Sequence, residues 1–293
     1  RVLILKEDGK PDTQFQLGNR LGHGHWGPVF RALNLNTGQM VAMKRIQLAE
    51  LQEEQVTNLL REVDFVKKLS HPNIIKYESI VRDTDSLSIV MEHVLFLYAE
   101  NGSLEQSLKA FGKFNEPLAA SYSAHILEGL HYLHSNDIVH CDIKAANVLT
   151  NKNGTVKLTD FGSALNLRGM DFSIAGSPNW MAPEIIELLG PPSTKSDIWS
   201  LGCTIVEMVT GHPPYHEIGN YLSVMFRIVD DETIPLPGAY RNYRTAAAAV
   251  CFNKDPANRP DAASLSKYQW VKESWDPRKL AKVRVSFQAG RNS

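Results

Sequence analysis

Three polar residues lie close together in the stretch HCDIKAANVL at positions 140–149, directly before an apolar run. Asp142 could accept the proton of a hydroxyl group, and Lys144 could reach a terminal phosphate. Asn147 could offer an amide oxygen to a metal ion, and Asp160, which follows the strand-like VKLT, could offer a charged one. Together the four residues predict a metal-assisted transfer of a phosphoryl group to a hydroxyl.

Each of these residues also has an ordinary structural interpretation. Asp142 could form an Asx turn, Lys144 could be solvated, and Asn147 could be a capping residue. Asp160 could lie in an ordinary loop. For one residue alone the two interpretations are about equally reasonable, but all four residues occur in the order and at the spacing that the transfer chemistry requires. The set therefore favours the chemical interpretation.

A glycine pattern near the N-terminus, Gly22-x-Gly24-x-x-Gly27, is weak evidence by itself, because short glycine patterns also occur in ordinary turns. The chain continues as strand, turn and strand, whereas a dinucleotide fold requires a helix after the glycines. A Gly-rich β-hairpin can fold over a nucleotide and let its backbone N–H groups approach the phosphates. Trp26 at the tip could shield those phosphates from water, or it could be a simple packing aromatic.

Lys44 ends the predicted strand VAMK opposite the glycine pattern. A lysine at such a position is usually a solvated edge residue. Here it could hold the α and β phosphates of a nucleotide as a point charge. It would need a carboxylate to orient it, and Glu62 is the candidate, although Glu53 and Glu54 compete for that role.

Four residues with metal-ligand chemistry suggest a competing zinc site: His131, His134, His140 and Cys141. The first two lie on a predicted helix, and the other two belong to the stretch already assigned to transfer chemistry. We therefore expect no zinc ion at these residues.

The composition is that of an ordinary globular protein of 293 residues, with a formal net charge of −1. A nucleic-acid binder would normally show a basic excess, so nucleic acid is not an expected partner. The three cysteines form no CxxC pair, which predicts a reducing, intracellular compartment. The apolar runs VLIL and VLFLY are too short to cross a bilayer, so we expect no membrane insertion. The first residue is not methionine, which suggests a domain of a longer chain.

The elements that must position these residues change character along the chain. Residues 15–46 have a strand-like pattern, and IIKYESIV and LSIVMEHV predict a hairpin. Between them, one apolar helical face is predicted at Val56, Leu59, Leu60, Val63 and Val66. Beyond Gly102 the patterns are helical. Residues 117–134 carry one apolar face, and 197–211 are apolar nearly all round, which predicts a buried central helix. Strands first and helices second predict an α+β protein with two lobes that meet near 94–102.

The motifs GHGHWG, VAMK, HCDIKAAN, DFG, APE, DIWSLG and NRP follow one another in this order, and as a set they are highly specific. On these motifs the sequence resembles the eukaryotic-type protein kinases over about residues 15–275. Lys144 at two residues after Asp142, together with Ser177 in AGSPNWMAPE, resembles serine/threonine rather than tyrosine kinases. The finer pattern is similar to the sterile-type group, and within it to fungal septation-initiation kinases and plant mitogen-activated kinase kinase kinases of epsilon type.

The resemblance implies a two-lobed, protein-kinase-like α+β fold. A small antiparallel β N-lobe with one main helix would precede a larger, mainly helical C-lobe. The implied organisation is an N-terminal extension at 1–14, a kinase domain at 15–275 and a basic tail at 276–293. Within the domain, the N-lobe would span 15–94, and the hinge and C-lobe would span 95–275.

The resemblance also implies roles for single residues, with ATP and Mg²⁺ as cofactors. The catalytic residues would be Asp142, Lys144, and the ion-paired Lys44 and Glu62, and the metal ligands would be Asn147 and Asp160. Residues of the glycine loop, the sheet and the hinge would bind ATP: Leu21, Gly22, Gly24, Gly27, Val29, Ala42, Lys44, Met91, Glu92 and Leu149. Further implied contacts are the brace of the catalytic loop by Asp197, the pair Glu184–Arg259, an apolar stack with His140 and Phe161, and Ser177 bound to Asp142 and Lys144.

Partners and location follow from the resemblance alone. The substrates would be proteins, and upstream activators and a scaffold would bind through regions outside this domain. The resemblance implies a signalling role in septation and cell division or in a mitogen-activated kinase cascade. The expected location is cytoplasmic, with a spindle-pole or division-site association.

Two departures from the family pattern affect these expectations. The apolar LFLYA at 95–99 adds residues at the hinge exit, and it is the one feature that supports an alternative, a pseudokinase scaffold or binding module with impaired ATP use. Cys141 stands where many kinases carry an arginine that contacts an activating phosphate. We therefore expect weaker dependence on phosphorylation of the regulatory candidates Ser173 and Ser177.

Overall fold

The structure of the chain is a computed structural model. It describes residues 2–5, 11–24, 27–50, 56–57, 60, 63, 66–83, 85–92, 102–151, 154–161, 165–166, 177–235 and 246–274. Within these ranges, no helix is both long and apolar enough to span a membrane.

Six strands from the first third of the chain form one sheet in the order β1-β2-β3-β4-β6-β5, and every pairing is antiparallel. Their bounds are β1 Val2–Leu5, β2 Thr13–Gly24, β3 Gly27–Asn34, β4 Met40–Gln47, β5 Tyr77–Arg82 and β6 Ser86–Met91. The glycine pattern closes the β2–β3 hairpin, in which Gly24 faces Gly27. Gly27 has a positive φ, and a Cβ there would collide with the Arg45 carbonyl, so the hairpin requires glycine at this position.

The predicted N-terminal extension contributes a strand to this sheet. In β1, Val2 pairs with Gln16 and Leu5 with Thr13, and β1 also contacts β5 from the opposite edge. The alternation of a strand turns Leu3 inward, where it is buried with Phe15, Val41 and other residues of a small apolar cluster. The sheet is therefore curved so that its two outer strands approach each other.

The apolar helical face predicted after the first strands is present where the structure describes it. Residues 56, 57, 60, 63 and 66 have helical backbone. Val63 and Val66 are buried in the main core, and Leu60 is partly buried against it. Leu59 and Glu62, which the sequence placed on the same helix, lie outside the described residues, as do 95–99 and 276–293.

Eight described helices follow Gly102. Their bounds are α1 Leu104–Phe111, α2 Glu116–Ser135, α3 Pro183–Ile186, α4 Thr194–Thr210, α5 Tyr221–Asp230, α6 Ala246–Cys251, α7 Ala262–Leu265 and α8 Gln269–Ser274. Every residue of α4 from Ser196 to Val209 is buried, which confirms the prediction of a buried central helix. A capping box of Ser193 and Ser196 begins α4, and Gly211 ends it in the left-handed conformation.

Two short pairs of antiparallel strands position the loops that carry the predicted chemistry. One pairs β7 (Ile138–Val139) with β10 (Leu165–Asn166), and the other pairs β8 (Val148–Thr150) with β9 (Val156–Leu158). The loop 140–147 connects β7 to β8, so the stretch HCDIKAAN is held at both ends by a strand. Asp160 follows β9 by two residues and therefore emerges beside the same loop.

Candidate active site

Asp142 is the centre of a hydrogen-bonded group formed by the residues predicted from the sequence. Its Oδ2 accepts a hydrogen bond from Asn147 Nδ2 at 2.7 Å and lies 2.8 Å from Lys144 Nζ. Its Oδ1 accepts from Ser177 Oγ at 3.0 Å, and Lys144 Nζ donates to the same hydroxyl at 2.6 Å. The predicted contact of Ser177 with Asp142 and Lys144 is therefore confirmed. Ser173, the other regulatory candidate, lies outside the described residues.

The donor set of Asn147 and Asp160 fits a divalent metal. Asn147 uses its amide NH₂ group for both bonds to Asp142, so its amide oxygen remains available as a ligand. One carboxylate and one amide oxygen are what a Mg²⁺ ion needs from a protein when phosphate oxygens complete its coordination. In the described part of the chain, no three His, Cys, Asp or Glu side chains are grouped as ligands for a metal ion.

The loop 140–147 is held in place by Asp197, a fully buried residue of helix α4. Its Oδ2 accepts from the backbone N–H of His140 and its Oδ1 from that of Cys141, both at 2.9 Å. His134 Nε2 also lies 2.9 Å from Oδ2. Cys141 has a φ of +65°, a region that non-glycine residues rarely adopt. These bonds stabilise the strained backbone, and they confirm the predicted brace.

A second buried carboxylate on α4, Glu207, was not predicted from the sequence. Its Oε2 accepts from the backbone N–H of Ala145 and from Trp180 Nε1, each at 3.1 Å. Glu207 thus connects the loop 140–147 to the segment that follows Ser177. Burial raises the pKa of Glu207 from 4.5 to about 7.

This raised pKa predicts a pH dependence of stability. A carboxyl with a higher pKa in the folded state stabilises the fold below its unfolded pKa, and that contribution is lost as the pH rises through the folded pKa. Between about pH 4.5 and pH 7, Glu207 should lower the free energy of unfolding by up to about 3 kcal/mol. Denaturation of the wild type and of Glu207→Gln at several pH values measures the difference between them. Parallel curves for the two proteins would contradict the assignment.

Lys44 forms an ion pair with Asp160, one of the two candidate metal ligands. Its Nζ lies 2.6 Å from Asp160 Oδ1, and the lysine is buried. Glu62, predicted to pair with Lys44, lies outside the described residues, so that pair stays a prediction. Asp160 has a φ of +62°, which places a second strained residue in the site.

An aromatic stack supports the segment that carries Asp160. Phe161 lies 5.2 Å from the His140 ring and 5.9 Å from the Tyr77 ring, which it meets edge to face. The contact of His140 with Phe161 was predicted, whereas Tyr77 at the start of β5 was not. Burial and the nearby Asp160 carboxylate raise the pKa of Tyr77, so its hydroxyl remains neutral.

A cavity of about 450 Å³ lies between the sheet and the catalytic loop, and its size suits a nucleotide. Its lining contains most of the predicted ATP-binding and catalytic residues: Leu21, Gly22, Val29, Lys44, Met91, Leu149, Asp142, Lys144, Asn147 and Asp160. The sequence did not indicate the remaining lining residues, among them Tyr77, Ser103 and Thr159.

Three predicted ATP-binding residues, Gly27, Ala42 and Glu92, are not among the described residues that line this cavity. Gly24 and Gly27 lie at the closed end of the β2–β3 hairpin, and Ala42 is fully buried and pairs with Met91 across β4 and β6. Glu92 instead accepts from Lys157 Nζ and from the Lys76 backbone N–H, each at 2.7 Å. Its carboxylate therefore connects the end of strand β6 to Lys157 in strand β9.

The predicted pair Glu184–Arg259 is present in the structure. Both guanidinium Nη atoms donate to the Glu184 carboxylate at 2.6 Å, which is a bidentate pair. Arg259 is buried and also lies over the ring of Trp199 at 5.0 Å. The pair joins helix α3, close to the segment after Ser177, to the loop before helix α7.

Comparisons with known proteins agree with this geometry. The profile described as protein kinase domain matches residues 15–271. The chain is 46% identical over 258 residues to "Cytokinesis protein sepH" of Emericella nidulans, covering 88% of this chain and 19% of that protein. It is 44% identical over 260 residues to "Cell division control protein 7" of Schizosaccharomyces pombe, covering 88% and 24%.

A plant protein shows a comparable similarity. "MAP3K epsilon protein kinase 2" of Arabidopsis thaliana is 42% identical over 268 residues, covering 90% of this chain and 19% of the plant protein. The chain thus spans about a fifth to a quarter of the length of these curated relatives. The family profile covers most of the chain, and the residues that form the site are those of its motifs. The chain therefore belongs to the protein kinase family.

Proposed function

We propose that this chain is an ATP-dependent serine/threonine protein kinase that transfers the γ-phosphoryl group to protein hydroxyls with the help of Mg²⁺. The observation that carries the proposal is the group around Asp142, which meets Lys144, Asn147 and Ser177 at one wall of a nucleotide-sized cavity. The two-lobed architecture proposed with it assigns 15–94 to the N-lobe and 95–275 to the hinge and C-lobe.

The residues of the chain divide the chemical work. Asp142 orients the acceptor hydroxyl and takes its proton, while Lys144, 2.8 Å from that carboxylate, meets the negative charge that develops on the transferred group. Lys44 contacts the phosphates of ATP. Asp160 and Asn147 would hold Mg²⁺, which when bound neutralises phosphate charge.

The relatives suggest the biological setting. Their names refer to cytokinesis, to cell division control and to a MAP3K. We extend these names to this chain as a proposed role in a cytoplasmic signalling cascade of septation or of mitogen-activated kinases. Its substrates would be proteins, and activators and a scaffold would bind outside the domain.

The alternative, a pseudokinase scaffold, receives no support from the described site, because the predicted metal ligands and phosphate-binding lysines all line the cavity. Saturating Mg·ATP should raise the melting temperature by about 5 °C or more, since a ligand that binds only the folded state stabilises it. Asp160→Asn should remove the part of this shift that depends on Mg²⁺. Absence of any shift in the wild type would instead favour the scaffold.

Ser177 offers a test of how the site is regulated. Its hydroxyl bonds to both Asp142 and Lys144, so Ser177→Ala should lower turnover by about 10- to 100-fold through lost positioning, whereas Ser177→Thr should retain most activity. Ser173→Ala should have little effect, because Cys141 cannot hold an activating phosphate as an arginine would. Steady-state turnover of the three variants measures this. A complete loss in Ser173→Ala would show that phosphorylation of this segment does control the enzyme.

A further inference from the structure

Two ion pairs connect the six-stranded sheet, or the residue directly after it, to strand β9 and the segment that follows β9. Lys44 and Asp160 form the first pair, and both residues line the nucleotide-sized cavity. Glu92 and Lys157 form the second pair at 2.7 Å, and neither is among the described residues that line the cavity. The proposed chemistry uses the first pair and assigns no task to the second.

Lys157 is a buried lysine, with 7% of its surface exposed. Its Nζ donates to the Ile74 carbonyl at 3.2 Å and to Glu92 Oε1 at 2.7 Å. The same carboxylate oxygen accepts from the backbone N–H of Lys76. Removing an ammonium group from water is costly, and a buried ion pair often adds little net stability because of that cost. A fixed geometry is the other benefit that such a pair can give.

The pair of Glu92 and Lys157 joins two walls of the cavity. Glu92 directly follows Met91, the last residue of β6, and Lys157 pairs with Leu149 across β8 and β9. Met91 and Leu149 both line the cavity. Asp160 follows Lys157 by three residues, so the same strand also carries a candidate metal ligand. The ion pair therefore connects the sheet wall of the cavity to the β8 wall.

Binding of a nucleotide would affect the two ion pairs differently. The Lys44–Asp160 contact competes with the ligand, because Lys44 is assigned to the phosphates and Asp160 to Mg²⁺ in the proposed function. The Glu92–Lys157 pair lies outside the lining of the cavity, so its contact can persist in the free and in the bound protein. Of these two pairs, it is the one that can hold the walls at one separation in both states.

We propose that Lys157, through its ion pair with Glu92, is a positioning residue that sets the separation of the Met91 and Leu149 walls and thereby the affinity for the adenine base. The inference rests on the proposed function, since it concerns the nucleotide of that site. Without the pair, the walls would have the binding separation for only part of the time. The apparent dissociation constant then rises by the inverse of that fraction.

Calorimetric titration with adenosine and with Mg·ATP tests the proposal in the wild type, Lys157→Met and Glu92→Met. We expect each substitution to raise both dissociation constants about tenfold, which corresponds to a competent fraction of about one tenth. Adenosine should respond like ATP, because it has the base without the phosphates. The KM for ATP should rise in parallel while kcat changes less than about twofold, since saturating ATP restores the separation of the walls.

The double variant Glu92→Met/Lys157→Met separates positioning from stability. Each single substitution leaves one charge without its partner and should lower the melting temperature. The double variant removes both charges and should melt close to the wild type. It should nevertheless bind adenosine about tenfold more weakly, and no more weakly than the single variants, because all three proteins lack the same connection. Recovery of affinity together with stability would overturn the proposal.

Two further variants complete the experiment. Lys157→Arg retains the positive charge and should retain most of the affinity. Lys254→Met is the matched control, because Lys254 is a partly buried lysine that donates to the Ile228 and Val229 carbonyls, and none of these three residues lines the cavity. It should lower the melting temperature without changing the affinity for adenosine.

The outcomes distinguish this inference from the proposed function. A Lys157→Met protein that binds adenosine as tightly as the wild type overturns the role of Lys157 and leaves the kinase assignment intact. Should Lys157→Met not fold, Glu92→Met and the double variant decide the question by the same measure. A wild type that binds neither adenosine nor Mg·ATP contradicts the proposed function, and the positioning role is then overturned with it.

Discussion

Replacing Asp142 with asparagine should lower the rate of phosphoryl transfer by about 10²- to 10⁴-fold, the range that a positioned general base contributes. The substitution keeps the shape of the side chain and removes its capacity to take the acceptor proton. The affinity for ATP should change little, because Lys44 and Asp160 hold each other through a contact that does not include Asp142. The effect should therefore appear in kcat and leave the KM for ATP nearly unchanged.

Two controls keep this result specific. Asp12→Asn removes an exposed carboxylate far from the site and should have no effect on turnover. The melting temperature of Asp142→Asn in Mg·ATP should rise as it does in the wild type, which excludes a general loss of folding or binding. An Asp142→Asn protein with wild-type turnover would show that another group accepts the proton.

Replacing Arg259 with leucine should cost about 3–5 kcal/mol of unfolding free energy, because it leaves the Glu184 carboxylate without its bidentate partner in a mostly buried place. The substitution also removes contacts of Arg259 other than the pair with Glu184. Arg259 Nε donates to the Asn253 carbonyl at 2.7 Å and Nη1 to the Lys195 carbonyl at 3.0 Å. The ring of Trp199 would also lose the cation above it. Chemical denaturation measures the change.

A surface pair provides the comparison for this prediction. Arg227→Leu breaks an i,i+4 pair with Asp231 whose arginine is mostly exposed, and it should cost less than about 1 kcal/mol. Glu184→Met combined with Arg259→Leu should lose less stability than Arg259→Leu alone, since no unpaired charge then remains buried. Equal losses for Arg259→Leu and Arg227→Leu would contradict the importance assigned to the buried pair.

The sequence predicted which residues meet at the candidate site, because most of them occur in short local stretches. Asp142, Lys144 and Asn147 lie within one loop, so their spacing alone indicates that they act together. The glycine hairpin and the central helix at 197–211 were likewise predicted from local patterns of glycine and of apolar residues. The family resemblance then related Ser177 and Asp197 to that loop, and both contacts are present in the structure.

Contacts between distant parts of the chain were less predictable. In the sequence, Tyr77 is one of several apolar residues in a predicted strand. Its ring contacts Phe161 only because the fold brings the two residues together. Glu207 is a single carboxylate in an apolar helix, and its bonds to Ala145 and Trp180 depend on how α4 packs. The strand at Val2–Leu5 is too short to be distinguished from a disordered terminus by its pattern, and its pairing with β2 is a tertiary contact.

The central claim is that the group around Asp142 transfers phosphate from ATP to serine and threonine hydroxyls. The most direct measurement is the incorporation of labelled γ-phosphate from Mg·ATP into a generic basic protein by the purified wild type, followed by phosphoamino-acid analysis. We predict phosphoserine and phosphothreonine at a level far above that produced by Asp142→Asn. Transfer equal to that of Asp142→Asn, in a wild type that still gains stability from Mg·ATP, would contradict the account.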